Sequence, residues 1–161
     1  MTTKSTDLQP WNDAEDLFRA LTRIHKHQRY ELQNAVRDLV NHPDEGVRTE
    51  AIRKLYVWWT DKESRDQAVA ALTHDSHYGV RRVAAFGVAS TSDEQTRRDD
   101  TRLLLQTFLN ESEDIAVRGA AYESLLLMNG RNDFPPVKRE IDPTLDVDWG
   151  WIAALRAEVD V

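Results

Sequence analysis

The chain contains no cysteine. Disulfides, thiolate catalysis and cysteine-based zinc or iron–sulfur sites are therefore excluded. Positive charge is also short. Against 28 Asp and Glu there are 21 Lys and Arg, for a formal net charge of −7. A surface for DNA or RNA usually needs a cationic excess to displace counterions from phosphates, so nucleic acid is disfavoured as a partner. No stretch approaches the roughly 18 apolar residues of a membrane span, and no membrane partner is expected. The opening MTTKSTDLQPWNDAEDL has no apolar run after its single lysine, unlike a signal peptide. The expectation is a soluble, cytoplasmic protein. A glycine-rich phosphate loop and a G-x-S-x-G nucleophile motif are missing as well.

What is present is repetition. The length of 161 residues suits one domain, and 40% hydrophobic residues suffice for a core. HPDEGVRTEAIRKL, HDSHYGVRRVAAFGV and SEDIAVRGAAYESLL align on Val47, Val80 and Val117, which are 33 and 37 residues apart. Arginine follows each valine: Arg48, Arg81 and Arg118. Alanine stands four residues on, at Ala51, Ala84 and Ala121. The next stripe positions are Ile52, Ala85 and Tyr122, then Leu55, Val88 and Leu125. Offsets of 0, +4, +5 and +8 form one apolar stripe on an α-helix. A polar turn precedes each phrase, and before each turn lies another helical run, at about 29–40, 64–72 and 101–109. Thr60-Asp61-Lys62 and Ser90-Thr91-Ser92-Asp93 break the chain between units, and Ser92 with Gln95 has the form of a capping box. Asn129-Gly130 reads as a helix stop.

The flanks read as covers. Residues 13–24 form an amphipathic pattern through Leu17, Phe18, Leu21 and Ile24, with Asp13 as N-cap. HKHQ at 25–28 is either a bend or a join between helices. After Gly130 comes a proline-containing tail, then a closing helix at about 148–159 carrying Trp149, Trp151, Ile152 and Leu155. End units of a stack need such covers.

The three phrases, an acidic turn followed by Val-Arg and then alanine, resemble the HEAT repeat in the variant also found in phycobilin lyases. The resemblance covers about 29–129 and implies an all-α fold. It would be a short α-solenoid of about three helix pairs, at about 29–59, 62–90 and 93–129, with terminal capping helices and a tail at 131–161. It also implies that Arg48, Arg81 and Arg118 are structural and tie one repeat to the next, with Asp44, Asp75 and Asp114 as candidate partners. The acid does not keep one offset: Asp44 and Asp114 lie three before the valine and Asp75 five before it.

Little points to chemistry. His74-Asp75-Ser76-His77 brings two imidazoles near a carboxylate, but in a wet turn and with too few ligands, so no metal and no cofactor are expected. Catalytic HEAT proteins of the di-iron hydroxylase type carry His-Glu pairs, and none occurs here. Adjacent Trp58 and Trp59 project about 100° apart on a helix. Either both plug a junction or one is an exposed anchor of the kind that dominates binding hot spots. Opposite the stripe, offsets +3, +6 and +10 read Glu50, Arg53, Val57; Val83, Phe86, Ser90; and Ala120, Glu123, Leu127. In a HEAT stack these positions face the concave groove. Val83, Phe86, Val57 and Leu127 make it apolar, with Glu50, Arg53 and Glu123 as a charged rim. An apolar surface of this kind needs a cover, supplied by a partner or by the chain's own tail. The leading expectation is a non-catalytic scaffold binding a protein partner, either as an immunity-type inhibitor of a basic toxin or as an adaptor for another enzyme. The alternative is a HEAT-like enzyme or nucleic-acid binder using the same groove.

Overall fold

The computed structural model describes residues 13–24, 29–131, 142, 144 and 146–161. Among these every regular element is helical: α1 (Ala14–Arg23), α2 (Arg29–Asp38), α3 (Glu45–Ile52), α4 (Arg65–His74), α5 (Tyr78–Thr91), α6 (Arg97–Leu109), α7 (Ile115–Met128) and α8 (Trp149–Val159). Short 3-10 turns at Leu39–Asn41 and Lys62–Ser64 extend α2 and lead into α4, and a π-helical segment, Arg53–Trp58, continues α3. None of the described helices is long and apolar enough to cross a membrane. Residues 25–28, read as a bend or a join between helices, and 132–141, read as an extended tail, lie outside the described residues.

Local chemistry sets the helix ends. Asp13, Asp44, Asp114 and Asp148 each accept a backbone N–H in the first turn of α1, α3, α7 and α8, at 2.8 to 3.0 Å. Gly130, at φ +62°, closes α7: its own N–H reaches Leu127 O at 3.1 Å and the Arg131 N–H reaches Leu126 O at 3.0 Å. That is the Schellman geometry, and it uses glycine's freedom in the left-handed region. The expected Ser92–Gln95 capping box is not formed. Asp93 instead accepts from Gln95 N and Thr96 N, and α6 starts at Arg97. Asp93 wins because its carboxylate can bond the two N–H groups that open the turn ahead of α6.

The stripe is the core. All twelve residues at offsets 0, +4, +5 and +8 of the three phrases are fully buried. Helix α3 packs on α5, α5 on α7 and α1 on α3, while α4 packs on α5 and α6 on α7. Contacts at both ends of each pair give direction. The Phe18 ring lies beside Gly46 at the start of α3, and Ile24 O receives Lys54 Nζ near its far end, so α1 and α3 run parallel. Arg48 meets the turn before α5 while Tyr56 meets Gly87 near its end, so α3 and its π segment run parallel to α5. A Cβ on Gly87 would stand 2.9 Å from Tyr56 Cβ, so glycine is what lets these two helices approach.

Two rows of arginine ties join successive helix pairs. At the turn edge, Arg48 holds Asp75 with two bonds of 2.7 and 2.9 Å, and Arg81 holds Glu113 at 3.0 and 2.7 Å. Each also donates back to its own turn, Arg48 to His42 O and Pro43 O and Arg81 to Asp75 O. At the opposite edge, Arg37 holds buried Asp61 at 2.8 and 2.9 Å, Arg65 bonds buried Asp100, and Arg102 donates twice to Val159 O. Burial pushes the Asp61 and Asp75 carboxyls up. The hydrogen bonds from Arg37 and Arg48, the other hydrogen bonds to each carboxyl and the charge of the arginines together outweigh it, and both end below the usual carboxylate range.

The pairing differs from the expected one. Asp44 and Asp114 cap their own helices and do not pair with Arg48 and Arg118, and Asp75 pairs with Arg48, not Arg81. Parallel packing explains this. The guanidinium at the start of one helix faces the turn that opens the next, so Arg48 and Arg81 each reach forward by one unit. Arg118 bonds Phe108 O within its own pair.

Helix α8 closes the far end in reverse. Trp149 at its start stacks on Phe108 at the end of α6, with centroids 5.6 Å apart. Val159 at its end receives Arg102 from the first half of α6. It therefore runs antiparallel to α6. The Asp148 N–H to Tyr122 hydroxyl bond, 2.9 Å, pins its start to α7.

Candidate binding face

Helices α3, α5 and α7 lie side by side, and each turns one side away from the core. On a helix turning about 100° per residue, offset +6 falls almost opposite the stripe, whereas +3 lies towards a flank. Within a row of parallel helices the flanks are covered by neighbours. This separates the expected site residues. Phe86 is half-buried and Glu123 exposed, and the Arg53 side chain is 40% exposed, all at +6. Glu50 and Val83, both at +3, are 5% and 9% exposed. Neither belongs to an open rim or groove. The Glu50 carboxylate is bound by Arg53 from one turn further on. At +10, Val57 is half-buried and Leu127 is 58% exposed. The open face therefore runs through Arg53, Phe86 and Glu123, with Val57, Trp58 and Leu127 towards the helix ends. Helix α8 packs mainly on α6, and the tail at 132–141, the other expected cover, lies outside the described residues.

The tryptophan pair divides. Trp59 is 2% exposed and Trp58 39%. The π segment is the cause. Its wider turn bonds Trp59 N–H to Lys54 O at 3.0 Å, five residues back, and buries Lys54, Leu55 and Tyr56 in succession. Trp59 is carried inward and Trp58 left at the surface. The Lys54 ammonium sits 3.5 Å from the centroid of the Trp58 ring and donates to Ile24 O. This cation–π contact steadies the ring. Burial lowers the Lys54 pKa below its usual value.

Sequence reasoning missed two features. One is the opposite-edge row of arginine ties, whose residues share no fixed phrase. The other is an open cleft of about 490 Å³ between the 3-10 turn after α2 and the outer side of α4, lined by Val40, Asn41, Gln67, Ala70 and His74 among others. The small residues of AVAAL in α4 leave this space, and that composition was its only signal. Among the described residues no group of three or more His, Asp or Glu is placed to hold a metal ion. In the His74–His77 turn, Asp75 is occupied by Arg48 and by the His77 N–H.

Comparisons with known protein families, curated proteins and solved structures give no match to this chain.

Proposed function

We propose that the chain is a short α-solenoid of three HEAT-like helix pairs with terminal caps, and that it serves as a non-catalytic scaffold binding a protein partner. The groove would be the face of α3, α5 and α7. The observation that carries this reading is the mixed character of that face. Trp58 and Leu127 stand exposed and Phe86 half-exposed, beside Arg53 and Glu123, on helices whose buried sides are locked together. Aromatic and aliphatic anchors on a rigid support are what a protein interface needs. A net charge of −7 favours a basic partner by speeding encounter. An immunity-type inhibitor of a basic toxin and an adaptor for an enzyme are two forms of this reading.

A nucleic-acid role has less support. Arg48 and Arg81 are held by carboxylates, Arg97 bonds Met128 O, and Arg98 and Arg102 pair with Asp160 and Asp99. These contacts leave the five arginines less free to replace phosphate counterions.

The test is Phe86→Glu, with Leu127→Glu as a second variant. Affinity capture from the source cells is followed by binding of the captured protein to purified wild type and variants, with melting temperatures measured in parallel. The reading expects unchanged melting and a loss of affinity of at least about tenfold. Unchanged binding, or unfolding of both variants, would refute it. Duplex DNA binding below micromolar with steep salt dependence would favour the nucleic-acid alternative.

A further inference from the structure

The N-terminal ends of the parallel helices form a second surface, distinct from the Phe86 face and independent of its function. Phe18, which the amphipathic pattern of α1 placed on the apolar side, is 39% exposed. Its ring lies over Gly46 in the first turn of α3. Tyr78 opens α5 and is 48% exposed, and Ile115 opens α7 and is 58% exposed. His77 stacks against Tyr78 at 5.0 Å and supports the ring. Three of the six exposed large hydrophobics among the described residues thus follow one edge in order across α1, α3, α5 and α7. With neighbouring helices about 8–10 Å apart, the row spans roughly 25–30 Å.

The charge of this edge identifies what it fits. Stretches 13–19, 42–48, 74–81 and 110–118 carry nine carboxylates against four arginines. The opposite edge, 58–66, 91–102 and 129–131, is nearly balanced, with seven against six. The chain's negative charge is therefore concentrated beside the apolar row. Its arginines are already engaged: Arg19 by Glu15, Arg48 by Asp75, Arg81 by Glu113 and Arg118 by Phe108 O. No lysine lies in the four stretches. Glu45, Glu111 and Asp114 are exposed between the apolar groups.

We infer that this edge docks a basic amphipathic protein segment, one whose apolar side chains meet Phe18, Tyr78 and Ile115 while its Lys and Arg meet Glu45, Glu111 and Asp114. Apolar contact supplies the affinity, and the net negative charge of the edge selects against acidic segments and steers encounter.

The experiment titrates the full chain with three labelled synthetic peptides: a lysine–leucine amphipathic helix, the same peptide with glutamate for lysine, and oligolysine. Fluorescence anisotropy is read at low and moderate salt. Wild type is expected to bind the lysine–leucine peptide, more weakly as salt rises. The double variant Tyr78→Ser/Ile115→Ser should lose at least about tenfold in affinity, and the charge reversal Glu45→Lys/Glu111→Lys a comparable factor. Leu127→Ser, on the other face, should leave it unchanged. All five substituted positions are exposed, and melting curves check that each variant folds. The inference is overturned if the lysine–leucine peptide does not bind, if oligolysine binds as tightly, or if Leu127→Ser is the variant that removes binding. The last result would place the peptide on the Phe86 face and leave that reading standing.

Discussion

Replacing Gly87 with alanine sets two physical effects against each other, and the structure decides the sign. Gly87 lies inside α5, fully helical and buried. In an exposed helix interior the change to alanine would stabilise by about 1 kcal/mol. Here the new Cβ would stand 2.9 Å from Tyr56 Cβ and 3.6 Å from Ala68 Cβ. The nearest atom is a Cβ, fixed to its backbone, so no rotamer change relieves the contact. Either α5 or the π segment must retreat by several tenths of an ångström. Both are clamped, Tyr56 by its hydroxyl bond to Gln67 at 2.7 Å and the start of α5 by the Arg81–Glu113 pair. Overpacking of this kind costs about 1–3 kcal/mol. The net is a loss of up to about 2 kcal/mol, or a fall in melting temperature of up to about 4–8 °C for a chain of this size. Gly150 is the control. A Cβ there meets only Asp148 Oδ1 at 3.5 Å, an ordinary contact, so Gly150→Ala should hold or raise stability. Thermal unfolding followed by circular dichroism compares the two. If Gly87→Ala raises the melting temperature as Gly150→Ala does, the close approach of α5 to the π segment is wrong.

The remaining predictions concern charge and the tryptophans. Asp61 and Asp75 titrate below their usual 3.8 in the fold. Their pairing therefore stabilises above that value and is lost as pH falls through the folded pKa values. Asp61→Asn and Asp75→Asn should lower stability at neutral pH and flatten its acid dependence, measured by urea unfolding from pH 7 to strongly acidic buffer; an unchanged acid slope would contradict the pairing. Trp59→Ala should cost about 3–5 kcal/mol, as for a buried aromatic, and Trp58→Ala well under half of that. Equal losses in denaturant unfolding would mean that the π segment does not divide the pair.

Much of the fold was legible because one phrase recurs. The stripe from Val47, Val80 and Val117 encodes burial directly, since helical periodicity needs no tertiary information, and all twelve of its positions are buried. The arginine ties were legible in kind but not in partner. Whether Arg48 meets Asp44 or Asp75 depends on which turn the parallel neighbour brings near, and that distance spans 27 residues. The opposite-edge row, Arg37 to Asp61 and Arg65 to Asp100, was illegible because its members sit in unlike local sequences. The exposed face of α3, α5 and α7 was half legible. Helix geometry correctly opposes +6 to the stripe, but Glu50 and Val83 at +3 are covered by flanking helices, a burial that only the packing of neighbours creates. Trp58 and Trp59 could not be separated without the π turn, which α-helical periodicity does not anticipate. The stop at Gly130 and the cap at Asp13 were local and readable.

The central claim is that the recurring Val-Arg phrase is a joint between successive helix pairs. A double-mutant cycle on Arg48 and Asp75 tests it, with Arg48→Ala, Asp75→Ala and the pair measured by urea unfolding. The side chains are 13% and 11% exposed and meet through two bonds. The expected coupling is about 1–3 kcal/mol, above the usual worth of an open surface pair. A coupling near zero, with each single loss simply adding, would mean that the phrase does not join the pairs.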